Sequence, residues 1–128
     1  MAKLPTAIGL SLCEQVIIEE KTHNVTLVNC FLYRILDHFP SRTPFIVFAH
    51  LTGGFGEVPL DVVVEGLDEL DEIYRISLTA RFADPLETFR CTVRVRDCEF
   101  PEPGQYVVSL RAGGEIVAER KIQLLLKE

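Results

Sequence analysis

Tryptophan is absent from this 128-residue chain and methionine occurs once. The large core pieces must therefore come from eight phenylalanines, three tyrosines and the aliphatic side chains. No apolar run reaches the ~20 residues that a membrane-spanning helix needs. The N-terminus, Met1-Ala2-Lys3-Leu4-Pro5-Thr6, leads into no apolar segment with a small-residue cleavage site. A cytoplasmic protein with no membrane partner is the expectation. Positive charge is also in short supply. Thirteen Lys and Arg face nineteen Asp and Glu, for a net charge of −6. A chain of that sign is repelled by phosphate backbones, so nucleic acid is not an expected partner.

Other absences narrow the chemistry. The four cysteines, Cys13, Cys30, Cys91 and Cys98, include no C-x-x-C pair, and no Cys or His pair has local zinc spacing. Reduced, partly buried thiols are expected in a cytoplasmic chain. Thr52-Gly53-Gly54-Phe55-Gly56 lacks the Lys-Ser/Thr of a phosphate-binding loop and reads as a hairpin turn. Asp68, Glu69, Asp71 and Glu72 lack the EF-hand pattern, so Glu65–Glu72 reads as a solvated connection. No residue pattern asks for a metal or a cofactor. No long stretch has helical spacing, and there is neither an internal repeat nor an interdomain linker.

What remains is alternation. Eight segments read as strands joined by Gly/Pro or polar turns: 6–19, 25–36, 45–51, 58–64, 74–82, 89–96, 106–112 and 116–126. The first two should form a long hairpin about the polar turn Lys21–Asn24. Phe45–Leu51 is apolar on both parities except at His50, as for a central strand. Pro59 assigns its end of the fourth segment to an edge or bulge. Arg120 breaks the parity of the last segment and is expected at a rim or bulge.

Two segments alternate most cleanly. Tyr74, Ile76, Leu78, Ala80 and Phe82 share one parity; Phe89, Cys91, Val93 and Val95 share another. Closing a hairpin at Ala83-Asp84-Pro85-Leu86 makes their apolar faces coincide. The same hairpin would carry Arg75, Arg81, Arg90, Arg94 and Arg96 on its outer face. Arg suits carboxylates through its planar fork. These five therefore form the candidate partner-binding surface, for an acidic protein or for Glu65–Glu72 of a second copy. The alternative is a solvated face balanced by nearby carboxylates.

The stretch Phe100-Pro101-Glu102-Pro103-Gly104-Gln105-Tyr106 precedes a strand, a Gly113-Gly114 hairpin turn and a last strand. Gly104-x-Tyr106 after a Pro-bearing turn resembles the tyrosine corner of immunoglobulin-like sandwiches. In that motif a Tyr hydroxyl reaches back to the turn as the chain changes sheets. The immunoglobulin Cys–Trp–Cys set is missing. The chain also resembles a family of small, uncharacterised bacterial β-sandwich proteins. That resemblance rests on Leu12–Glu20, Val25–Val28, Leu51–Gly54 and Phe100–Tyr106. It implies a fold and a bacterial source, and no activity.

The expectation is one all-β domain over residues 1–128, a single antiparallel β-sandwich of about eight strands, immunoglobulin-like. Its expected role is non-catalytic: a binding or assembly module for a protein partner or for its own copies, using the edge strands 58–64 or 116–126. The alternative is a small-ligand binder, or an enzyme using Cys13 or Cys98 with His23, His38 or His50. Cys91, on a core-facing parity, should be inert. Convergence of a Cys and a His in one concave pocket would favour the alternative.

Overall fold

The computed structural model describes residues 2–68 and 71–128, and every regular element among them is a strand. In chain order these are β1 (Thr6–Cys13), β2 (Gln15–Ile18), β3 (Val25–Val28), β4 (Tyr33–Leu36), β5 (Ser41–Arg42) and β6 (Phe45–Thr52). Then come β7 (Gly56–Gly66), β8 (Glu72–Phe82), β9 (Phe89–Val95), β10 (Glu99–Phe100), β11 (Gly104–Ala112) and β12 (Glu115–Leu126). No helix is long and apolar enough to cross a membrane.

Two sheets contribute most of the buried apolar core. One has five strands in the order β4-β12-β11-β7-β8, and the other has three in the order β1-β6-β9. Val58, Leu60, Val62, Val64, Val108, Leu110, Ile122 and Leu124 come from the first; Leu10, Leu12, Phe45, Val47, Cys91, Val93 and Val95 come from the second. Two-stranded ribbons, β2-β3 and β5-β10, complete the structure. The pattern is therefore finer than eight strands in one antiparallel sandwich: four sheets are present among the described residues, and β12 pairs with β4 in parallel.

The expected long first hairpin exists only over Gln15–Ile18 and Val25–Val28. Before it, β1 pairs with β6; after it, β4 joins β12. The break lies at Asn29, which has a left-handed φ of 52°. Asn tolerates that conformation, and it ends the ladder. A second phase change sits at Gly9 (φ 72°), where the β1–β6 register shifts. Beyond it Ala7 packs against the core and Ile8 is exposed, reversing the simple parity.

The central position of Phe45–Leu51 is borne out, since β6 lies between β1 and β9. Pro59 is also accounted for. The ladder between β7 and β11 ends at Leu60↔Ala112, and the Pro59 carbonyl accepts instead from Gly113 N in the β11–β12 turn. No ladder donor is required at that position. The strand itself is not an edge: β7 lies between β11 and β8, and β12 lies between β11 and β4. The edges of the five-stranded sheet are β4 and β8.

The Gly-rich turn 52–56 is a crossing between sheets and not a hairpin, because β6 and β7 belong to different sheets. Gly54 lies against the Phe82 ring, where a Cβ would come within 2.9 Å of ring carbons. Gly113 and Gly114, with φ of 58° and 86°, form the expected tight turn between β11 and β12.

The Phe100–Tyr106 reading holds in detail. The chain leaves the three-stranded sheet at Val95 and enters the five-stranded sheet at Gly104. The buried Tyr106 hydroxyl donates to Glu102 O at 2.5 Å and accepts from Glu102 N at 3.4 Å. Its ring meets Phe100 edge-on, with centroids 4.9 Å apart.

Candidate interaction surface

The two most regular strands are not partners. β8 pairs with β7, and β9 pairs with β6. The hairpin expected at Ala83–Leu86 is a second crossing from sheet to sheet, tied to the first by Gly53 N donating to Pro85 O at 3.1 Å. Asp84 shapes it, accepting from Leu86 N through its side chain and from Glu87 N through its carbonyl. Each strand buries the parity that its alternation assigns. They do so from opposite sides of one core, so the two sets of arginines face opposite ways.

Arg75 and Arg81 lie on the outer face of the five-stranded sheet, and both are neutralised there. Arg75 reaches Asp61 at 3.3 Å and Glu72 at 2.8 Å; Arg81 reaches Glu57 at 3.2 Å. The hydrogen bond from Arg75 holds the Glu72 carboxyl below the usual carboxylate range, and Glu72 in turn raises Arg75. At the other end of the acidic stretch, Glu65 pairs with Arg111 at 2.8 Å. Glu69, which the sequence reading grouped with that stretch, lies outside the described residues.

Arg90 and Arg94 lie on the outer face of the three-stranded sheet, and Arg96 follows β9 directly. Arg90 donates to His23 O at the tip of the β2-β3 ribbon. Arg94 and Arg96 are exposed and have no carboxylate within ion-pair distance among the described residues. Two grooves flank them. One, of ≈ 430 Å³, is lined by Glu14, Arg34, Pro44, Phe45 and Ile46 together with Arg94 and Arg96. The other, of ≈ 540 Å³, lies where the free edges of β8 and β9 face each other. Tyr74, Ile76, Leu78 and Val93 give it an apolar floor, with Arg94, Arg96 and Asp97 at its margin.

Arg34 escaped the sequence reading because nothing in its own segment marks it. Its guanidinium lies 4.0 Å from the Phe31 ring centroid, donates to Pro44 O at 2.8 Å and to Thr43 Oγ1, and is 3.8 Å from Glu14. Burial lowers its pKa from the ordinary value, and Glu14 partly offsets that. The result is a fixed cation in the first groove beside two exposed ones, with a single carboxylate among them.

The thiols do not form a Cys–His site. Cys13, Cys91 and Cys98 are buried, and burial pushes the Cys91 thiol up to about 11 and the Cys98 thiol up to about 12. His23 is at a ribbon tip, His38 is exposed in a loop, and His50 stacks edge-on against Phe48. The groove that Cys30 lines contains no His. Among the described residues no three of His, Cys, Asp and Glu are grouped so as to hold a metal ion.

No family model matches the chain, and no curated protein matches it. Among solved structures it is similar to the Pseudomonas fluorescens alkylpurine DNA glycosylase AlkC, bound to DNA containing an abasic-site analogue. That likeness has 13% identity and a TM-score of 0.40 over 91% of this chain. This chain spans 30% of the length of that protein. At that TM-score the likeness carries no argument about fold or function.

Proposed function

We propose that this protein is a cytoplasmic, immunoglobulin-like β-sandwich module that binds an acidic, extended segment of a protein partner along β9, without catalysis. The observation that supports this reading is the position of Arg94 and Arg96. Both are free of carboxylate partners among the described residues and both border a groove on either side; Arg94 lies on an edge strand, and Arg96 follows directly after its end. An edge strand offers unpaired backbone N–H and C=O groups to an added strand. Guanidiniums at alternate positions then meet alternate side chains of that strand, and carboxylates fit them bidentately. Arg34 supplies a third, preoriented cation.

The charge pattern argues against β9 pairing with β9 of a second copy, since that would set arginines against arginines. The immunoglobulin-like reading draws support from the Tyr106 corner and from the two crossings between sheets. The non-catalytic reading draws support from the burial of three of the four thiols.

The test uses a fluorescent peptide alternating Glu and Val. The wild type should bind it, more weakly as salt rises, with slowed hydrogen exchange at β9 amides. Arg94→Ser/Arg96→Ser should bind at least about tenfold more weakly, a loss of about 1.4 kcal/mol. Arg75→Ser/Arg81→Ser should bind like the wild type. Equal binding by the β9 variant, or protection confined to β4, would overturn the reading.

A further inference from the structure

Cys13 and Cys30 stand seventeen residues apart in the sequence, at the ends of the segment that folds into the β2-β3 ribbon. The ribbon pairs Gln15 with Val28 and Val16 with Leu27. Two backbone hydrogen bonds extend that pairing past the ribbon. Glu14 N donates to Val28 O at 3.0 Å, and Phe31 N donates to Leu12 O at 3.0 Å. Between those bonds a single residue, Cys13, opposes two, Asn29 and Cys30. This is a bulge with Asn29 in the left-handed conformation, and the Asn29 side chain fastens it by donating to Glu14 Oε2 at 3.1 Å. The flanking bonds hold the Cys13 and Cys30 backbones on adjoining chain segments, the placement that a disulfide between them requires.

The two sulfurs differ in access. Cys13 is fully buried, and Cys30 is exposed in a groove of ≈ 300 Å³ shared with Ser11, Leu12, Phe31, Leu32 and Arg120. Cys30 lies close enough to act on Cys13: burial is the main cause that raises the Cys13 thiol, and Cys30 is the next. Cys91 and Cys98, by contrast, are enclosed in the core.

We propose that Cys13 and Cys30 are a dithiol modification site for small disulfides, with exposed Cys30 as the attacking thiol and buried Cys13 as the resolving one. In the first step the Cys30 thiolate attacks one sulfur of a low-molecular-weight disulfide. An S–S bond forms to Cys30, and half of the reagent leaves as a thiolate that takes up the Cys30 proton. In the second step Cys13, giving up its proton, attacks the Cys30 sulfur. The Cys13–Cys30 bond forms, the mixed disulfide breaks, and the second half leaves as a thiol. The protein dithiol loses two electrons and two protons, and the small disulfide is reduced to two thiols. The product joins the end of β1 to the bulge and fastens the β2-β3 ribbon, whose tip already contacts Arg90.

The experiment incubates the full chain with oxidised glutathione, blocks the remaining thiols with iodoacetamide and maps the peptides. The wild type should yield a Cys13–Cys30 linked peptide lighter by two hydrogens, with two glutathiones released per chain. In Cys13→Ser the glutathione adduct should persist on Cys30. In Cys30→Ser no rapid adduct should form. Cys13→Ala repeats the first variant with an apolar side chain if the Ser variant fails to fold, and the wild-type map decides the matter without either. A persistent Cys30 adduct in the wild type, a Cys30–Cys30 link between chains, or an unreacted Cys30 would each overturn the proposal.

Discussion

β8 and β9 are nearly the same strand in sequence: apolar residues on one parity, arginines and hydroxyl residues on the other. Their surroundings are opposite. On β8 the arginines face β7, which supplies Asp61 and Glu57, and Glu72 on β8 itself adds a third carboxylate. On β9 the neighbour is β6, which sets Ile46 opposite Arg94 and His50 opposite Arg90, and Arg96 lies just past the end of that ladder, so Arg94 and Arg96 meet no counter-charge there. Alternation decides which side chains leave the core. The adjoining strand decides whether an outward charge is spent within the protein or remains available to another molecule. The first is a property of one strand, and the second is a property of a pair.

The comparison can be tested most severely on the two parities of β9. Val95 is completely buried, and Val95→Asp places an unpaired carboxylate in the shared core. Its expected cost is about 4 kcal/mol or more. Arg94→Asp, one position before it, should change stability by less than about 0.5 kcal/mol. Urea unfolding of the two variants measures both, and comparable losses would mean that β9 does not face the core as described.

The crossing that carries the chain from β9 to the other sheet is the next most sensitive point. Tyr106→Phe removes the hydroxyl that bonds both backbone groups of Glu102. A loss of about 1–2 kcal/mol is expected in the same assay, since one buried ring is kept and the hydrogen bonds go. A neutral result would assign the corner to packing of Tyr106 on Phe100 alone.

The smallest effect sharpens the β8 side. Glu72 is depressed mainly by the hydrogen bond from Arg75. A carboxyl whose folded pKa lies below its unfolded one stabilises the fold above the ordinary carboxylate range. It loses that contribution as the pH falls through the folded value. In Arg75→Ser the Glu72 side-chain carboxyl, followed by carbon NMR, should titrate at higher pH, and the acid-side loss of stability traceable to Glu72 should shrink. An unmoved titration would show that the depressed value has another source.

Much of this arrangement was legible in the chain. The central position of Phe45–Leu51, the hairpin at Gly113-Gly114 and the Tyr106 corner each follow from a local cue; Arg120, expected at a rim or bulge, lies within β12 in regular register with Val108. Arg120 turns out to donate to Leu10 O at 2.7 Å, at the seam between the two sheets. The pairing of 74–82 with 89–96 was legible only in appearance. Two strands with matching inward parities bury the same faces whether they are hydrogen-bonded neighbours or stand in opposite sheets. The turn Asp84-Pro85-Leu86 serves a hairpin and a crossing equally well. Arg34 and the Cys13–Cys30 juxtaposition were not legible at all, since both depend on the left-handed Asn29 breaking a long hairpin into a ribbon and a separate parallel edge strand.

The sequence by itself determined an all-β chain, the buried face of most strands and the chemistry of the turns. Those depend on period-two patterning and on the backbone preferences of Gly, Pro and Asn, which act within a few residues. Only the tertiary structure decided which strands are neighbours, which arginines keep their charge unanswered and which cysteines face each other. Strand pairing is a contest among distant segments, and alternation leaves several outcomes equally well buried. Packing of the two sheets around one core, through crossings at 52–56 and 83–88, selects among them.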